Sequence, residues 1–178
     1  MDGGVANGDN TQSVAAHEAG HVVVAMATGT QVLEITGVDG ELPDSSLMGP
    51  QKMFYTKINI ETLLPLDARL TYLWVVGGFA GEATHEGVVE RQGALDDLSA
   101  LRKAHLTDFQ IQLLTGVAME IIDDNRKLWE MIHDAVLLVI ETGQTPPTVP
   151  GNLMHARFER IGKRFTNMAR IDEVLPLD

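Results

Sequence analysis

Residues 14–27 read Val14-Ala15-Ala16-His17-Glu18-Ala19-Gly20-His21-Val22-Val23-Val24-Ala25-Met26-Ala27. The run is apolar nearly all round, which predicts a buried helix capped at Thr11 or Ser13 and ending near Gly29. His17 and His21 lie four residues apart, so both imidazoles leave one face of that helix a single turn apart. Two ligands so placed can share one tetrahedral Zn²⁺, and the glutamate of such an HExxH run, here Glu18, stands close enough to polarise a water. Burying two histidines and a glutamate without a metal would carry a heavy desolvation cost. That cost weighs against a plain pair of hydrogen-bonded core histidines.

Downstream, Gln31–Val38 alternates apolar and polar residues, and Lys52–Ile60 is rich in β-branched and aromatic ones. Both predict short strands, separated by a loop over Asp39–Pro50. An exposed edge near Val32–Val38 or Met53–Ile60 would suit an extended peptide. Everything after Leu64 reads as helical. Leu66–His85 is expected as one helix, with Pro65 at its start and Asp67 favourable to the dipole. A connection over Glu86–Gly93 leads to a helix at Leu95–His105, breaking at His105-Leu106-Thr107. Asp108–Asp124 and Asn125–Thr142 follow as one long helix or two joined ones. Gly143–Gly151, with its prolines, ends that block. Asn152–Arg170 is expected as a last amphipathic helix carrying Arg157, Arg160, Lys163 and Arg164 on or near one side, a solvated face or subunit contact. The expected fold is mainly α, with a small antiparallel sheet between the first and second helices. Residues 1–10 are expected to be flexible and 11–178 to form a single domain.

The 178 residues suffice for one domain with a real core, and 44% of them are hydrophobic. A formal charge of −12 argues against nucleic acid or an anionic membrane as partner. With no cysteine, any metal must be held by His, Asp or Glu. No apolar run approaches the roughly 18 residues a membrane span needs. The longest candidate, Leu70–Ala83, is interrupted by Gly77, Gly78 and Gly81. Met1–Asn10 has neither the basic nor the apolar region of a signal peptide, and a cytoplasmic location is the expectation.

A catalytic zinc site takes three protein ligands and keeps one position open. Beyond His17 and His21, the candidates are His85, Glu86, Asp96 and Asp97, with His105, His133 and His155 further off. Spacing does not choose among them. By default His85, His105, His133 and His155 read as surface or groove residues, and Trp74 and Trp129 as packing.

Three segments together narrow the choice: Ala16-His17-Glu18-Ala19-Gly20-His21-Val22-Val23, then Val76-Gly77-Gly78-Phe79-Ala80-Gly81-Glu82, then Gly93-Ala94-Leu95-Asp96-Asp97-Leu98. In this order they resemble the peptidase domain of FtsH-type zinc metalloproteases, over roughly residues 13–143. The resemblance implies a zinc helix first, then a small sheet, then a glycine-rich helix, then an aspartate as third ligand. It puts that ligand at Asp97, with Asp96 as its non-ligand neighbour. Gln92 departs from the family's usual threonine. The implied activity is zinc-dependent hydrolysis of peptide bonds, with His17, His21 and Asp97 holding Zn²⁺ and Glu18 acting as general base. Glu82 is a candidate to orient a ligand histidine, since such histidines usually donate their other N–H to a carboxylate or carbonyl.

No Gly-x-x-x-x-Gly-Lys-Ser/Thr loop occurs, so ATP hydrolysis by these residues is not expected. The expected substrates are therefore peptides or unfolded proteins, with a separate ATPase as partner. The family's hexameric rings make a homo-oligomer the matching expectation. The competing reading is a catalytically weak or inactive zinc-stabilised interaction or adaptor domain.

Overall fold

The first helix, α1 (Thr11–Ala27), is enclosed by the rest of the chain, with every residue from Ala15 to Ala27 buried. The computed structural model describes residues 11–38, 53–58, 67–86, 95–143 and 148–176. The N-terminal ten residues, the 39–50 loop, Pro65 and the 87–94 connection, for which expectations were set out above, lie outside these.

α1 ends as its sequence predicts. Gly29 adopts φ 94°, Thr30 N donates to Ala25 O at 2.8 Å, and Gly29 N donates to Met26 O at 3.1 Å. These are the two bonds of a Schellman stop, which needs a residue at positive φ and so favours glycine.

Strands β1 (Val32–Val38) and β2 (Met53–Ile58) pair antiparallel. A third strand, β3 (Thr148–Pro150), pairs antiparallel with the other side of β1 across Glu34–Thr36, giving the order β2-β1-β3. This strand replaces part of the expected loop at Gly143–Gly151. It is three residues long and ends in proline, which an edge strand tolerates, so no periodic signal announces it. It also corrects the expectation of a free edge on β1: that strand is central, and among the described residues β2 and β3 are the rims.

Six further helices follow among the described residues: α2 (Arg69–Glu86), α3 (Leu95–Lys103), α4 (Asp108–Asp124), α5 (Arg126–Thr142), α6 (Gly151–Ile161) and α7 (Ala169–Val174). The chain is thus mainly α with a small antiparallel sheet. None of these helices is long and apolar enough to cross a membrane. α2 begins three residues later than expected because Asp67 caps it: Asp67 Oδ1 accepts from Arg69 N at 2.9 Å. α3 ends where His105 turns to φ 64°, and a reciprocal Thr107–Gln110 capping box starts α4. Asn125 separates α4 from α5. Buried, it donates to Ile121 O at 2.9 Å and accepts from Lys163 N at 2.6 Å.

The expected single helix over Asn152–Arg170 is instead two short helices joined by an extended stretch. Gly162 opens the break in extended conformation. Lys163 N then reaches Asn125 Oδ1, Arg164 Nη1 donates to Met26 O at 2.9 Å, and Phe165 N donates to Ala27 O at 2.9 Å. These long-range bonds satisfy backbone that helix propagation would otherwise use. Arg157, Arg160, Lys163 and Arg164 therefore do not share one helical face.

α2 packs more extensively on α1 than any other element does. A Cβ on Gly20 would overlap the Gly77 carbonyl, 2.9 Å from its carbon, and one on Gly81 would lie 3.0 Å from Gly20 Cα. Glycine at these positions lets the two backbones touch. That contact sets the depth at which the α1 histidines meet α2.

Candidate metal centre

One turn apart on α1, the rings of His17 and His21 stand edge to face with centroids 4.6 Å apart. Their Nε2 atoms are 3.0 Å apart. Asp97, in the first turn of α3, completes a triangle: its Oδ2 lies 3.2 Å from His17 Nε2 and 3.1 Å from His21 Nε2. Both imidazoles are buried, and Asp97 is partly so.

The opposite ring nitrogens define the tautomers. His21 Nδ1 is 3.0 Å from the Trp74 carbonyl, which can only accept, so that nitrogen carries the proton. His17 Nδ1 is 2.6 Å from Glu82 Oε1 and donates to it in the same way. In neutral rings both Nε2 atoms are then bare lone pairs aimed at one another and at Asp97 Oδ2. With both rings neutral, that oxygen, itself shielded from water, receives no hydrogen bond among the described residues. Three acceptors that close repel unless a cation or a proton sits among them.

Electrostatics register the same strain. Burial opposes a charge on His17, yet hydrogen bonds to Asp97 and Glu82 and the charges of Glu18 and Glu82 outweigh it, and the pKa is pushed up to about 10. Burial would raise the Asp97 carboxyl, but the imidazoles of His17 and His21 beside it, and their charge, hold it well below the usual carboxylate range. His17, His21 and Asp97 form the one three-residue group among the described residues whose donor atoms can hold a metal ion. Two neutral imidazoles and a carboxylate are the donor set of a divalent transition metal.

α2 holds this group from behind. Glu82 is 1% exposed, and its second oxygen, Oε2, has no hydrogen-bond partner among the described residues. Gly78 gives the His17 ring its seat, since a Cβ there would lie 2.6 Å from Nε2. Trp74 supplies the carbonyl for His21, and its indole lies 5.6 Å from that ring between centroids. Neither Gly78 nor the Trp74 carbonyl could be assigned from sequence, because each acts through backbone or through absence of a side chain.

Glu18 is 5% exposed, and Thr56 Oγ1 on β2 donates to its Oε2 at 2.6 Å. Sequence reading passed over Thr56. Its place in an alternating strand signals which face it occupies, not which side chain it meets.

The other candidate ligands lie elsewhere. Asp96 and His105 are exposed. His85 is exposed at the end of α2, and the side chain of Glu86 lies outside the described residues. His155 is partly buried and accepts from Val32 N at 3.0 Å. His133 departs from the expectation of a surface or groove residue by being buried. It is 7% exposed, stacked on Trp129 with centroids 5.2 Å apart and 5.1 Å from His85. Its stacking on Trp129 accounts for that burial.

Compared with protein-family models and with curated proteins, the chain finds no match in either.

Proposed function

We propose that this chain is a zinc-dependent metalloendopeptidase that hydrolyses peptide bonds in peptides or unfolded proteins, akin to the peptidase domain of FtsH-type proteases. The observation that carries this reading is the triangle of acceptors, 3.0–3.2 Å on a side, with a glutamate next in sequence to its first ligand. Donors about 2.0–2.1 Å from a tetrahedral Zn²⁺ stand about 3.3 Å from each other, so the spacing fits that ion. His17 and His21 through Nε2, and Asp97 through Oδ2, would hold it.

When bound, zinc would supply Lewis acidity, making water easier to deprotonate and a carbonyl easier to attack. The chain's own groups do the rest. Glu18 accepts the proton of the attacking water and delivers it to the leaving amine. Glu82 and the Trp74 carbonyl keep both ligand histidines in the tautomer with a free Nε2. β2, a rim strand in the sheet order, offers a main-chain edge on which an extended peptide adds as a further strand beside Glu18. These residues carry no nucleotide-binding loop. Substrates already unfolded, or delivered by a separate ATPase, are therefore the ones this chemistry suits.

Cleavage of an unfolded casein-like substrate by wild type and Glu18→Gln, with metal content measured in both, tests the proposal. One equivalent of zinc in each protein is expected, with cleavage by wild type alone. A loss on the order of 10²–10⁴-fold in Glu18→Gln would match removal of a general base. Full zinc content with no cleavage by wild type would overturn the enzyme reading in favour of an adaptor domain.

A further inference from the structure

We propose that Thr56 is a positioning residue for the general base, fixing the Glu18 carboxylate from the sheet; the inference rests on the peptidase reading above. The register across the sheet pairs Thr56 with Ile35 and Ile35 with Val149. Directly opposed residues in antiparallel strands point to the same face. Ile35 and Val149 are buried, so this row faces inward. Two of its three members are branched and apolar. The third has the shape of valine with a hydroxyl in place of one methyl.

That hydroxyl has a defined target. Thr56 Oγ1 donates to Glu18 Oε2 at 2.6 Å, the short length of a hydrogen bond to an ionised acceptor. The bond joins β2 to α1 and ties one carboxylate oxygen. The rotation of the Glu18 side chain is thereby restricted, and proton transfer falls to the other oxygen, Oε1. A base held in one orientation needs less reorganisation at the moment of reaction. β2 is also the rim strand proposed to receive the peptide, so one strand would present both the substrate edge and the group that aims the base.

The test is steady-state cleavage of a quenched-fluorescent peptide by the zinc-loaded chain, with zinc content and Tm measured for each variant. Thr56→Val keeps the volume and removes the donor. It should lower kcat about 10–100-fold, the loss usual for a residue that orients catalytic groups, with KM within about twofold of wild type. Zinc should remain at one equivalent, and Tm should fall by no more than the few degrees that one lost hydrogen bond to a buried acceptor costs. Thr56→Ser, which restores the hydroxyl, should recover kcat to within about threefold of wild type. A merely structural role would move Tm and leave the kcat-to-KM pattern alone.

Unchanged kcat in Thr56→Val, or an equal loss in Thr56→Ser, would overturn the positioning role. If Thr56→Val does not fold, Thr56→Ala with normal kcat would overturn it equally, and Thr56→Ala with lowered kcat at full zinc content would support it. Wild type no faster than Glu18→Gln would overturn the peptidase reading and the role of Thr56 with it. A clear difference between those two proteins, with Thr56→Val like wild type, would overturn the role of Thr56 alone.

Discussion

Glu82 Oε1 lies 2.6 Å from His17 Nδ1, and both side chains are buried. The carboxylate keeps a proton on Nδ1, so Nε2 is the nitrogen turned toward His21 and Asp97. Its other oxygen has no hydrogen-bond partner among the described residues. A buried carboxylate so incompletely satisfied is stabilised chiefly by positive charge nearby, whether a proton on His17 or a bound cation. Glu82→Ala should weaken zinc binding about 10–100-fold, while Glu82→Gln, which still offers an acceptor oxygen, should lose less. Competition with a chromophoric chelator measures both. Equal affinity in all three proteins would remove Glu82 from the site.

Two glycines on different helices should respond oppositely to the same change. Gly78→Ala places a Cβ 2.6 Å from His17 Nε2, so the ring must leave its seat, and both zinc affinity and stability should fall. Gly116, exposed on α4, has nothing within 4 Å of an added Cβ. Gly116→Ala should therefore raise stability by roughly 0.5–1 kcal/mol, the ordinary gain of alanine in an exposed helix interior. Chemical denaturation of the zinc-free and zinc-loaded proteins compares the pair. A stabilised Gly78→Ala variant would mean that His17 does not depend on that seat.

These dependencies mark the limits of what the sequence discloses. α1 is legible along its length and at its C-terminal end, because residues 14–27 are apolar nearly all round and Gly29 supplies the positive φ its stop requires, whereas the expected caps Thr11 and Ser13 lie inside the helix. The same run discloses two candidate ligands, since helical geometry alone puts His17 and His21 together. Asp97 is different. It reaches the histidines through tertiary packing of α3, so spacing leaves it level with other acids, and only the resemblance to FtsH-type proteases points to it. β3 escapes notice because three residues ending in proline carry no periodicity. The break after Ile161 opens at Gly162 but is held by bonds from Lys163 and Phe165 to Asn125 and Ala27, which are contacts far apart in sequence. His133 is buried by stacking on Trp129, a contact invisible along the chain.

Protonation of His17 gives the metal-free protein a defined pH signature. Its folded pKa is pushed up to about 10 from an ordinary 6.5. A raised pKa means the proton stabilises the fold, fully below about 6.5, and this contribution is lost as pH rises through about 10. Zinc needs the same Nε2 lone pair, so at pH 7.5 binding must expel that proton. Calorimetry in buffers of different ionisation enthalpy should give about one proton released per zinc, and apparent affinity should climb with pH. Asp97, held below the usual carboxylate range, has the opposite sign: its contribution is lost only as pH falls below that range. Zinc binding with no proton release at pH 7.5 would show that His17 carries no extra proton in the metal-free protein.

Asp97 and its neighbour Asp96 offer the sharpest test of which acid is the third ligand. Both lie in the first turn of α3, and both carboxylates favour that helix end electrostatically. Only Asp97 reaches the imidazoles, at 3.1 and 3.2 Å, whereas Asp96 is exposed. Asp96→Asn and Asp97→Asn remove the same charge from the same turn, so any shared effect on α3 appears in both. Asp97→Asn alone should lower zinc affinity by more than about 100-fold, beyond the 10–100-fold typical of residues that only hold a ligand in place. The loss of the carboxylate also removes the group that helps hold a proton on His17, so proton release on zinc binding should fall in the same variant. Chelator competition and calorimetry read the two effects separately. Wild-type affinity in Asp97→Asn would show that another group completes the site, and an equal loss in Asp96→Asn would trace the effect to helix electrostatics rather than ligation.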